Sequence, residues 1–163
     1  MLTQSQRTEL IAKIANLPEQ VAALVRDLNA EQLTTHYLPI EWSVAQNVHH
    51  LADSHMNSFI RLKLVLTEHK PPLKPYDQDA WAARADADNI AIQNSLGLLQ
   101  GLHHRWVTLF ESLQESEWSR TGLHPDIGEV SAEDLLRLYA DHGEAHLDQM
   151  TRTLAAQTTT NNR

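Results

Sequence analysis

The sequence predicts an all-α fold, a four-helix bundle with a long crossover between its second and third helices. Three observations carry this expectation. Apolar residues recur at three- and four-residue spacing along four long segments. Glycine is scarce, at 5 of 163 residues, and no alternating run of strand length stands out. Ser43 and Ser131 each open one of the periodic segments with a helix N-terminal signature.

The elements follow in order. Leu10, Ile11, Ile14 and Leu17 form one apolar stripe. Pro18 interrupts it and fits the first turn of a new helix, which continues through Val21, Leu24, Val25 and Leu28. The AEQL stretch, residues 30–33, reads as a further short turn. The second long helix opens with a capping box, Ser43-Val-Ala-Gln46, and runs to about His69, where Pro71 and Pro72 stop it. Residues 73–86, LKPYDQDAWAARAD, read as an irregular crossover with a short helix. The third long helix runs from about Asp88 to Leu113 with Ile92, Leu96, Leu99, Leu102, Trp106 and Phe110 on its stripe. RTGLHPDIGEV, residues 120–130, reads as loop. Ser131-Ala-Glu-Asp134 opens the fourth helix, with acidic residues favourably placed in its first turn; it runs to about Ala156, and the tail from about residue 157 to 163 is expected to fray. No internal repeat and no second domain is visible, so residues 1–163 read as one domain.

Composition excludes several classes. Thirteen basic against 21 acidic residues give a formal charge of −8, the wrong sign for broad binding to nucleic acid or an anionic membrane. There is no cysteine, which removes disulfides, thiolate metal sites and cysteine nucleophiles. Any metal must be held by nitrogen or oxygen. No secretory h-region and no run of about 18 apolar residues is present, and the expected location is the cytoplasm.

The chemistry-bearing residues are histidines. His142 and His146 stand four residues apart, about 40° from each other around the fourth helix, as in helical zinc motifs. Ten histidines would place about 0.6 such pairs by chance, so the pair alone decides little. Its stripe includes Leu135, Leu138, Gln149 and Thr153, which turns it inward or into a groove. On the second helix, His49 and His50 point about 100° apart, so one of them at most shares a site. The stripe of His50 continues through Ser54, Asn57 and Arg61, with Asn47 at its edge. The plain reading of the pair on the fourth helix is partly buried histidines satisfied by hydrogen bonds, and that of the stripe on the second is a solvated face; the sharper reading makes His50 a third ligand with Ser54, Asn57 and Arg61 lining a pocket. Three histidines suit Zn²⁺, Ni²⁺, Co²⁺ or Fe²⁺ and leave open coordination positions. His103 and His104, His124, and His36, His55 and His69 read as surface or structural residues. The tryptophans read as packing anchors.

WSVAQNVHHLADSHMNSFIRLKLVLTE (42–68), KPYDQDAW (74–81), HHRW (103–106) and HGEAH (142–146), taken in order and spacing, resemble the DinB-like superfamily and in particular its YfiT-type branch of metal-dependent hydrolases. The likeness covers about residue 18 to 155. In that family a tryptophan is followed eight residues later by a ligand histidine. Trp42 plus eight is His50, and the family's His-x-x-x-His on the last long helix matches His142 and His146. The resemblance implies a four-helix bundle, a zinc or nickel ion on those three histidines, and a homodimer, for which exposed leucines on the first and third helices would serve. Related members resemble thiol S-transferases that use small thiols such as bacillithiol. The leading expectation is therefore a metal-dependent transfer of a low-molecular-weight thiol to a small electrophile, with Asn57 and Arg61 on the substrate side. A hydrolase working through water is the alternative. It would need a general base, and Asp53, Asp141 and Glu144 all point away from the ligand stripes, leaving Asp77 or His124. A non-catalytic metal-binding protein is the third reading.

Overall fold

The computed structural model describes residues 1–160, with side chains through Gln157. Four long helices build the bundle: α1 (Gln4–Val25), α3 (Val44–Thr67), α5 (Gln93–Glu111) and α6 (Ala132–Thr160). Two short helices, α2 (Ala30–Thr34) and α4 (Gln78–Ala82), lie in the connections, with a 3₁₀ turn at Glu115–Glu117. α1 packs on α5 and α6, and so does α3, which places α1 and α3 diagonally across the bundle. No described helix is long and apolar enough to cross a membrane. The tail expected to fray lies mostly outside the residues whose side chains are described.

The caps sit where the sequence put them. Ser43 accepts from the Gln46 amide and Gln46 reaches back to the Ser43 amide. Ser131 and Asp134 exchange the equivalent bonds at the head of α6. Asn29 and Gln32 form a further capping box that nucleates α2.

Three expectations need correction. α1 is one helix and does not restart at Pro18. Proline inside a helix leaves the carbonyl four residues back without its donor. Here that carbonyl, of Ile14, receives His103 Nδ1 at 2.6 Å, so no buried acceptor is orphaned. Burial of Ile14, Leu17, Pro18 and Val21 carries the helix through. Second, α5 begins at Gln93, five residues later than the apolar stripe implies. The Asn89 side chain accepts from the Ala91 amide, a local turn that competes with the helix. Third, residues 120–130, expected as loop, form most of a hairpin, β1 (Thr121–His124) against antiparallel β2 (Gly128–Ser131). Pro125, Asp126 and Ile127 make its turn, and Gly128 takes a φ of 78° that a side chain would resist. The hairpin clasps the crossover: Leu73 N donates to the Leu123 carbonyl and Leu123 N to that of Pro71.

The apolar interior comes in two parts. One gathers Ile11, Ile14, Phe59, Leu62, Trp106, Phe110, Leu135 and Tyr139. The other gathers Leu17, Val21, Val44, Val48, Leu51, Leu99 and Met150. Each part draws on all four long helices. Along α3, α5 and α6 the boundary between the two parts falls where the histidines are.

Candidate metal centre

α3 is buried without interruption from Ser43 to Ala52. A helix enclosed this far round places polar side chains inside on more than one face. His50, in this stretch, is 3% exposed. Opposite it, α6 presents His142 and His146 one turn apart, both half-buried. One nitrogen from each of His50, His142 and His146 lies within 4.8 Å of the others. The Nε2 atoms of His50 and His142 are 3.2 Å apart. Two imidazole nitrogens on one tetrahedral zinc ion stand about 3.3 Å apart at normal bond lengths, so the spacing fits a shared ion.

Electrostatics fit as well. A ligand imidazole must be neutral. Burial, with His146 adding, pushes His50 down to about 3. Burial, with His146 and His50 adding, pushes His142 to about 3. His146 falls to about 4 through burial, against a hydrogen bond with Gln149 that raises it. All three rings are therefore lone-pair donors at neutral pH. Among the described residues the cluster contains no carboxylate.

The surroundings orient two of the three rings. His146 Nδ1 lies 2.7 Å from Asn47 Oδ1. The Asn47 amide nitrogen is committed to the Ser43 carbonyl at 2.9 Å, so its oxygen faces His146 and must accept. His146 Nδ1 then carries the proton and Nε2 the free lone pair. His142 Nδ1 lies 3.1 Å from His55 Nε2. Trp42 packs 4.5 Å from the His50 ring and stacks 6.1 Å from His146, so it is a wall of the site rather than a remote packing anchor.

His49 turns away as the helical angle requires. Its Nε2 donates to the Asn89 carbonyl and its Nδ1 accepts from Ser95. Leu138, expected on the inward stripe of α6, is 48% exposed instead. Asn57 donates to the Asp53 carbonyl of its own helix. Arg61 is half-buried and donates to the Lys74 carbonyl at 2.6 Å, which holds the crossover against α3. Ser54 reaches Tyr139 at 3.5 Å, and Tyr76 of the crossover stands near enough to Ser54 and Arg61 to feel both. Asp53 faces Asp86 and its carboxyl is raised, by burial first and by Asp86 second. Glu144 is tied to Lys13 on the surface, Asp77 caps α4 and His124 accepts from Asp126 N in the hairpin turn. A groove of about 700 Å³ between α1 and α5 is lined by none of the three clustered histidines.

Sequence reasoning missed Asn47 as an orienting group, and it missed His55 and His103, which are buried and hydrogen-bonded to each other at 2.8 Å. Their pairing is made between helices. The one signal available was that each falls between apolar neighbours on its own helix.

A family model described as the DinB superfamily matches residues 13–150. The chain belongs to the DinB superfamily. Among curated relatives, a protein of Oceanobacillus iheyensis named "putative metal-dependent hydrolase" is 46% identical over 143 residues, 88% of this chain and 83% of that protein. A Bacillus cereus protein of the same name is 41% identical over 150 residues, 92% of this chain and 86% of that protein. Among solved structures, YfiT from Bacillus subtilis superposes with a TM-score of 0.93 at 36% identity, covering 97% of this chain and 91% of that one. It is described as a probable metal-dependent hydrolase with an unusual four-helix bundle topology. The DinB fold expected from the sequence is thus the fold observed, and the three-histidine cluster lies inside it.

Proposed function

We propose that this DinB-superfamily chain is a metal-dependent enzyme that holds zinc or nickel on His50, His142 and His146 and transfers a small external thiol to a small electrophile. The observation that carries this reading is the ligand set: three neutral nitrogens and no carboxylate in the described cluster. A divalent ion held there by three neutral nitrogens would keep its full charge and would supply the means to ionise a thiol or acidify a water. The chain has no cysteine, so the sulfur comes from outside. In the transfer the sulfur bonds to the electrophilic carbon, the leaving group departs with its electron pair, and the thiol proton passes to solvent.

The chain's own residues divide the remaining work. Asn47 aims His146, and Trp42 shields two ligand rings. Asn57 and Arg61, further along α3, are proposed to hold the polar part of the thiol. One Arg61 nitrogen is spent on Lys74, and a guanidinium has further donors. Arg61→Ala is expected to raise the KM for the thiol; unchanged binding and turnover would sink that role.

A second reading, hydrolysis with water as nucleophile, is favoured by the names of the relatives. Elemental analysis of wild type beside His50→Ala and His146→Ala separates the cases when followed by thiol titration of cobalt-substituted protein. One ion per chain, lost in both variants, with a visible-band change on thiol addition supports transfer. An ion with no thiol response and turnover of esters or amides supports hydrolysis, and turnover of neither supports a binding protein. For the homodimer we propose the outer face of α5, where Leu98 is exposed; Leu98→Glu then yields a monomer by sedimentation.

A further inference from the structure

We propose that His55 and His103, neither of them a ligand, are positioning residues that hold His142 as its Nδ1–H tautomer through a hydrogen-bonded chain anchored on the carbonyl of Ile14. This rests on the metal reading above and goes beyond it, because it assigns work to two residues and a backbone group remote from the ion.

The chain begins at Pro18. Having no N–H, Pro18 leaves the Ile14 carbonyl free inside α1. His103 Nδ1 stands 2.6 Å from that oxygen. A carbonyl only accepts, so the proton of the His103 ring is on Nδ1. His103 is 2% exposed and burial disfavours its charged form, which leaves Nε2 as an acceptor. Next to that nitrogen, at 2.8 Å, is His55 Nδ1, which must donate. His55 is fully buried and stacks on His103, with Trp106 and Tyr139 edge-on to it. Its own Nε2 is then an acceptor, 3.1 Å from His142 Nδ1. His142 must therefore donate from Nδ1, and its Nε2 lone pair is left facing His50, where the ion belongs.

Each link has one arrangement compatible with the carbonyl at the end. Reversing the chain would set a lone pair against the Ile14 oxygen and put a proton on His142 Nε2, in the place of the ion. The Nδ1–H tautomer is the less populated one for a free imidazole in water. His142 is thus held in a form it would not mostly adopt alone. Partners of this kind raise ligand basicity and fix ring direction. The device spans α1, α5, α3 and α6 in turn.

The test has two arms. Long-range ¹H–¹⁵N spectra of metal-free, ¹⁵N-histidine-labelled wild type read the tautomers directly; Nδ1–H is expected at His103, His55 and His142. Zinc affinity is then measured by chelator competition. His103→Leu is expected to bind about 10–100-fold more weakly, and His103→Gln, whose amide donates at one atom and accepts at another, to recover most of the loss. Pro18→Ala, which restores a competing N–H in a stronger helix, is expected to weaken zinc less than His103→Leu does. If His103→Leu fails to fold, the wild-type spectra and Pro18→Ala decide. An Nε2–H tautomer at His142, or wild-type affinity in folded His103→Leu, overturns the proposal while leaving the metal reading intact. Wild type that binds no zinc overturns the metal reading itself.

Discussion

Asn47 shows how a single uncharged side chain can fix the tautomer of a neighbouring histidine. Its amide is pinned by the Ser43 carbonyl, so its oxygen is fixed on His146. Asn47→Ala should weaken zinc binding about 10–100-fold by chelator competition while leaving the far-ultraviolet spectrum unchanged. The clustered rings also predict acid sensitivity. His50, His142 and His146 are depressed to about 3, 3 and 4 from an ordinary 6.5, and His55 well below it, all mainly by burial. Between those values the unfolded chain binds more protons than the folded one, so stability falls as pH drops. The metal-free protein should hold its urea midpoint above a pH of about 6.5 and lose it steadily towards 4. A midpoint flat across that window would show that the rings are not buried neutral. At this scale the sequence grouped His50, His142 and His146 through helical angle within each helix and through the family's Trp-to-His spacing, and the three stand together in the fold. It concealed His55, which lies about 140° round α3 from His50. One-stripe arithmetic assumes a helix with one inner face, and the first turns of α3 have hardly any outer one.

Among the elements, α1 and α6 approach each other closely at Gly143. A Cβ there would stand 2.6 Å from Leu17 Cδ2, and Leu17 is itself buried. Gly143→Ala gains about 1 kcal/mol of helix propensity but overpacks the contact, which typically costs about 1–3 kcal/mol. The net expectation is a lower melting temperature, with a loss in the double variant with Leu17→Ala smaller than the sum of the two single losses; a rise in Gly143→Ala alone would mean that Leu17 moves freely. Ser43→Ala should cost about 1 kcal/mol by removing the α3 cap. The four long helices and their caps were legible because period and capping are local. The hairpin was not, since each four-residue strand buries a single residue and shows no alternation. Its Pro-Asp-x-Gly turn was the usable signal. Pro18 misled for the opposite reason: the partner that rescues its helix, His103, sits on another helix, 89 residues from the Ile14 carbonyl it meets.

At the scale of the whole molecule, a histidine layer lies between two apolar half-cores, and all four long helices contribute to it: Ile14 through its carbonyl, His50 and His55, His103, and His142 with His146. An ion that binds only the folded arrangement stabilises it by mass action. Zinc should therefore raise the melting temperature in a concentration-dependent way in wild type and leave His50→Ala unmoved; equal shifts in both would place the ion elsewhere. The layer also sets an order of events during manufacture. His50 and His142 are separated by 92 residues, and their nitrogens come within reach of each other only across a docked α3 and α6. A growing polypeptide carries only His50, one of the three clustered histidines, over those 92 residues of synthesis. On the proposed metal reading, loading follows the docking of α6 on α3, and what a cell must shield from the wrong ion is the finished, still-empty protein.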